Sequence, residues 1–143
     1  MIERMQGLHL TADLRRCPTD RALFGDPGAL RDCCLQAVMA CGLTPVGELF
    51  HRFEPGGGVT GVVLLAESHL AVHTWPELGA VTIDVYVCNF SGDNGARAEA
   101  LLASLEGAFA PGAVDRQRLQ RGRPGAALMA CGTDEPAPPA RAT

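Results

Sequence analysis

The residues best suited to chemistry fall in one stretch, Ala66-Glu67-Ser68-His69-Leu70-Ala71-Val72-His73-Thr74-Trp75-Pro76-Glu77, with Thr60 before it and Asp84 and Cys88 after it. Together they offer hydroxyl, imidazole, carboxylate and thiol groups, the side chains that serve as nucleophile, proton carrier and acid. Taken singly, each has a bland explanation. A lone His on a strand is commonly a satisfied packing residue, and a buried Cys behaves as a small apolar side chain, which is the expectation for Cys33, Cys34 and Cys41. All twelve basic residues are Arg and none is Lys. A lysine Schiff base, and with it pyridoxal phosphate chemistry, is thereby excluded, as is the lysine of a phosphate-binding loop. The six cysteines form no C-x-x-C pair, and the four His complete no zinc pattern with them, so no metal is expected.

The string closely resembles the self-processing segment of the short bacterial and archaeal S-adenosylmethionine decarboxylases, a pyruvoyl-dependent family. Gly7-Leu8-His9-Leu10 and Thr60-Gly61-Val62-Val63 extend the likeness, which spans roughly Gly7 to Gly122. The resemblance implies cleavage between Glu67 and Ser68, with Ser68 becoming the pyruvoyl group. It also implies that His73 carries protons during processing and that Thr60 assists through a hydrogen bond to the scissile carbonyl. Cys88 becomes the proton donor in decarboxylation. Phe53, Trp75 and Glu77 are implied as substrate contacts, through stacking and ribose hydrogen bonds. Asp13 stands where the family usually carries Glu, and Cys88 is followed by Asn89-Phe90-Ser91-Gly92-Asp93-Asn94 rather than the usual Gly.

The chemistry makes sense on its own terms. Without Lys or a bound cofactor, removal of carbon dioxide from an amino acid needs another electron sink, and an internal Ser can become one. Its hydroxyl attacks the Glu67 carbonyl, turning peptide into ester. Elimination and hydrolysis then leave a pyruvoyl group at Ser68 and release ammonia. The substrate's α-amine condenses with that ketone, and the resulting imine takes the electrons left by carbon dioxide. The expected pieces are a β chain, 1–67, and an α chain, 68–143. S-adenosylmethionine is the favoured substrate, supplying the aminopropyl donor for spermidine synthesis. L-ornithine or L-arginine, giving putrescine or agmatine, is the alternative with the same mechanism. An unprocessed, inactive homologue acting as a binding or regulatory partner is the third reading. The family implies a homodimer of processed αβ units in which two chains contribute to each site.

These residues must be positioned by a framework that hydrophobic periodicity reveals. Leu8, Leu10, Ala12 and Leu14 alternate with polar residues, the period of a half-buried strand. Asp26-Pro27 starts a helix whose apolar positions are Leu30, Cys33, Cys34, Ala37, Val38 and Cys41, and Gly42 stops it. Strands are expected at Pro45–Phe53, Val59–Ala66, Ser68–Trp75, Val81–Cys88 and Ala113–Gln120, with a turn at Glu54–Gly58. Val59–Ala66 is apolar on both faces, as a central strand would be. Ala98, Leu101, Leu102, Leu105 and Phe109 stripe a second helix. This order predicts an α+β two-layer sandwich, a mostly antiparallel sheet with two helices on one face. His9, Thr11, Asp13, His69, His73, Trp75, Thr82, Asp84, Tyr86 and Cys88 then share the other face, either a solvated surface or an active site closed by a second subunit.

The 143 residues suffice for one domain, expected at 1–121, with a flexible Pro-, Ala- and Gly-rich tail over 122–143. A net charge of −4 provides no basic field for nucleic acid or anionic lipid. The Arg116–Arg123 run reads as a solvated strand edge. The first residues lack an apolar signal core and no apolar run approaches ~18 residues, so a cytoplasmic protein with no membrane partner is expected.

Overall fold

The computed structural model describes residues 6–88 and 94–122. Six strands form one antiparallel sheet: β1 (Gly7–Arg15), β2 (Pro45–Arg52), β3 (Val59–Leu65), β4 (Ser68–Trp75), β5 (Ala80–Cys88) and β6 (Ala113–Arg121). Their spatial order is β2-β3-β4-β5-β1-β6, so the first strand lies between the fifth and the sixth. Two helices, α1 (Pro27–Ala40) and α2 (Gly95–Phe109), cover one face. The two-layer α+β arrangement is the one the periodicity predicts. The expected tail lies outside the described residues from 123 onward.

Each helix follows from local chemistry. The Asp26 side chain accepts a hydrogen bond from the Gly28 N–H (2.9 Å) and Pro27 supplies a preset φ at the first position, so α1 starts there. Gly42, at φ +79°, ends it in the left-handed region that other residues avoid. Leu30, Cys34, Ala37 and Val38 of α1, and Leu101, Leu102, Leu105 and Phe109 of α2, face the sheet. They meet Leu8, Leu10, Leu14, Val63, Leu70, Val72, Ile83 and Val85 in one core. Burying each such Leu, Val or Ile contributes about 1.5–3 kcal/mol, more than helix propensity could supply over a turn.

β3 runs between two neighbours, as expected, but its outer side is not covered by helices: Val62 is half-buried and Leu64 is exposed. Its apolar outer residues therefore belong to a sheet face that no helix among the described residues covers. The basic run behaves as a strand edge. Arg116 pairs with Glu106, and Arg118 with Glu99 (2.5 Å), tying edge strand β6 to α2.

One buried hydroxyl sets the ends of β3 and β4. Thr74 accepts from the Val59 N–H and donates to the Phe24 carbonyl, both at 2.8 Å. Gly58 lies so close that a Cβ there would come 1.8 Å from the Thr74 carbonyl oxygen, so no other residue fits. This contact holds Thr60 opposite His73 in the ladder.

Candidate active site

Ser68 opens β4 directly after a two-residue turn, Ala66-Glu67, and pairs with Leu65 across it. The expected scissile bond therefore sits at the mouth of a tight hairpin. The Ala66 N–H donates to the Thr44 carbonyl (3.1 Å), pinning the turn to the start of β2. Ser68 Oγ accepts the backbone N–H of Cys88 at 3.0 Å. That bond directs one lone pair of the hydroxyl and leaves its proton for a base. The residues present thus suit a serine-derived group: the hydroxyl is held at the turn, with a thiol-bearing residue as its hydrogen-bond neighbour.

Cys88 closes β5 on the same face as Asp84 and Tyr86. Its thiol donates to the Tyr86 hydroxyl (3.6 Å). This hydrogen bond, burial and the Cys88 charge raise the Tyr86 phenol above its ordinary value, while Arg121, 5.5 Å over the ring, pulls the other way. Tyr86 reaches this place by lying across Gly7, where a Cβ would come 2.7 Å from its hydroxyl. His9 and His69 flank the same ring, with centroids 6.0 and 5.6 Å away, and His9 Nε2 meets Asp84 Oδ1 at 3.0 Å.

A second group forms farther along β4. Thr60 Oγ1 and His73 Nδ1 are 3.1 Å apart. Both line a cavity of about 510 Å³ with Phe53, Trp75 and Glu77, so the three implied substrate contacts share one hollow with the implied proton carrier. The Trp75 and His73 rings lie at 6.0 Å, tilted by 34°. Asp13 does not line this hollow. It is exposed on β1, opposite Thr82, which is itself opposite His73.

The two groups do not meet within one chain. From Ser68 to His73 is five residues of extended strand at ~3.3 Å each, a separation of ~17 Å. Glu67, Ser68 and Cys88 lie at the hairpin end of β4, Cys88 on the open face and Ser68 in step with the core-facing Leu70 and Val72, whereas Thr60, His73, Phe53, Trp75 and Glu77 lie toward the other end. Among the described residues no three His, Cys, Asp or Glu side chains converge as metal ligands would, and no helix is long and apolar enough to cross a membrane.

Sequence reasoning placed Tyr86 on the right face without giving it a role; its spacing of two residues from Cys88 on one strand was the available signal. Asn94, whose Nδ2 donates to the Cys88 carbonyl (2.8 Å), carried no local signal, because helix α2 brings it there.

A hairpin serine beside a thiol, at one end of a two-layer α+β sheet, is the arrangement of a carboxy-lyase of the pyruvoyl-dependent class. The particular family is that of S-adenosylmethionine decarboxylase, whose sequence model matches residues 8–122, and the chain belongs to it. It is 42% identical over 101 residues to an S-adenosylmethionine decarboxylase proenzyme of Symbiobacterium thermophilum, covering 71% of this chain and 74% of that protein. It is 38% identical over 120 residues to the proenzyme of Acidithiobacillus ferrooxidans, covering 84% and 85%. The crystal structure of the adenosylmethionine decarboxylase from Aquifex aeolicus superposes with a TM-score of 0.74 at 35% identity, covering 84% of this chain and 93% of that one.

Proposed function

We propose that the chain is a proenzyme that cuts itself between Glu67 and Ser68, and that the processed protein decarboxylates S-adenosylmethionine. The observation that carries this reading is the Ser68 hydroxyl, held at a hairpin turn by the Cys88 N–H at 3.0 Å. Attack of Ser68 Oγ on the preceding carbonyl closes a five-membered ring and requires no second molecule to be brought in. The N–H donor favours the oxygen as it gives up its proton. The pyruvoyl group derived from Ser68 supplies the electron sink for loss of carbon dioxide. Cys88 then delivers a proton, its thiol directed by Tyr86.

His73 is the proton carrier for processing and Thr60 fixes its ring through the 3.1 Å contact. Because they stand ~17 Å along β4 from Ser68, they serve a second copy of the chain. The open sheet face supports this homodimer: Leu49 and Leu64 on neighbouring strands β2 and β3 are 70% and 50% exposed, apolar surface that a second copy could cover. Phe53 and Trp75 offer aromatic faces to adenine and Glu77 offers a carboxylate to ribose hydroxyls, all within one hollow. The product is the aminopropyl donor for spermidine synthesis.

Intact mass under denaturing conditions, with a carbonyl-trapping reductant and S-adenosylmethionine, tests this reading. Two fragments, 1–67 and 68–143, are expected, the second gaining substrate mass; Ser68→Ala stays whole. A wild-type chain that stays whole would overturn the processing. Fragments that trap ornithine or arginine instead would overturn the substrate.

A further inference from the structure

The first turn of α2 carries a polar relay that ends on the reacting residues. Arg97 Nη1 donates to Asn94 Oδ1 at 3.2 Å, Asn94 Nδ2 donates to the Cys88 carbonyl at 2.8 Å, and the Cys88 N–H donates to Ser68 Oγ at 3.0 Å. Asn94 is buried, so the relay is held on the protein side. The Arg97 guanidinium lies across Gly42, where a Cβ would come 3.5 Å from its Nε.

Arg97, Asn94, Glu67 and Ser68 line one cavity of about 70 Å³, too small for S-adenosylmethionine. Two features of its lining leave charge unanswered. Arg97 makes no ion pair among the described residues, unlike Arg15, Arg31, Arg116 and Arg118. Glu67 Oε2 is buried without a hydrogen-bond partner among the described residues, an expensive condition for a carboxylate oxygen, which needs a donor. In the uncut chain, the turn tethers Glu67 to both β3 and β4, and the cavity keeps anion and cation apart. Cleavage removes one tether.

We propose that Arg97, positioned by Asn94, receives the carboxylate that leaves from Glu67 during processing; this rests on cleavage at Glu67–Ser68. In the ester, the Glu67 acyl group is bonded to Ser68 Oγ. A base takes the Ser68 α-proton, the C–H electron pair becomes the Cα–Cβ double bond, and the Cβ–Oγ pair departs on oxygen. Glu67 thus leaves as a carboxylate that keeps the serine oxygen. Water later replaces the nitrogen of the dehydroalanine and releases ammonia. The anion develops where Arg97 waits, and charge-assisted donors to a developing anion give their largest stabilisation there.

The test follows full-length chain made in a cell-free system, by intact mass over time, for wild type, Arg97→Met, Arg97→Gln and Arg97→Lys. The neutral variants are expected to release fragments on the order of 100-fold more slowly, and Arg97→Lys to recover part of the rate. Ester should accumulate in the neutral variants. Hydroxylamine should split it into 1–67 bearing a hydroxamate and 68–143 with an intact N-terminal serine. Cleavage of both neutral variants at the wild-type rate overturns the proposal. So does a slow chain that hydroxylamine leaves whole, because the block then precedes the ester or reflects lost structure. A wild type that never cuts removes the processing itself, a result readily told apart from these.

Discussion

Cys88 and Tyr86 form a two-residue unit in which each side chain defines the other. The raised phenol stays neutral through the physiological range, so it remains a neutral hydrogen-bond partner of the thiol. Cys88→Ala is therefore expected to cut at Glu67–Ser68 but lose turnover by about 100-fold or more, the scale of a positioned general acid. Tyr86→Phe keeps the thiol and loses its acceptor, so it should process normally and lose a smaller factor. Decarboxylation per mole of cleaved chain is the quantity to measure. Full activity of Cys88→Ala would end its proton-donor role. At this scale the motif was legible, because Ser68, His73 and Cys88 are of chemically distinctive types. Their distances were not. Five residues would span about 7.5 Å in a helix, but β4 stretches Ser68 and His73 to ~17 Å.

Among the elements, α1 places a thiol at the centre of the core. Burial pushes Cys34 from its ordinary value of 9.0 up to about 12, with Cys33 beside it acting in the same direction. The folded chain thus holds that proton more tightly than the unfolded chain. The stabilisation is complete below pH ~9 and is lost as pH rises toward ~12. Urea midpoints should fall through that window, by on the order of 4 kcal/mol from this thiol. Cys34→Ala should start lower at neutral pH, for lost packing, yet show a shallower alkaline limb. A limb as steep as wild type would clear Cys34 of the effect. The elements themselves were readable from the chain, since the Leu8-Leu10-Ala12-Leu14 alternation and the α2 stripe are local patterns. The strand order was not. Gly7 pairs with both Cys88 and Arg121, partners that no local pattern names. Arg97 was hidden for the same reason, as its relay exists only once α2 docks beside the end of β5.

For the whole molecule, the roles proposed for Ser68 and His73, set against their separation, make processing a matter between two copies. Coexpressing Ser68→Ala with His73→Ala tests this directly. In the mixed dimer, the chain bearing His73→Ala keeps Ser68 and meets the partner's intact imidazole, so it should be cut, and the other chain should not. Neither chain cut, with wild type cutting normally in parallel, would place the imidazole in the same chain as its serine. One further consequence lies in β1, which precedes the cut yet is seated between β5 and β6, which follow it. Separating the pieces means stripping both of these ladders and the β3–β4 ladder as well, so the nicked protein holds together. Once unfolded, however, it cannot return as it came. The precursor folds as one molecule at any dilution, whereas the pieces must find each other, and their recovery depends on concentration. Maturation is thus a ratchet: folding comes first, the cut second, and urea reverses only the first.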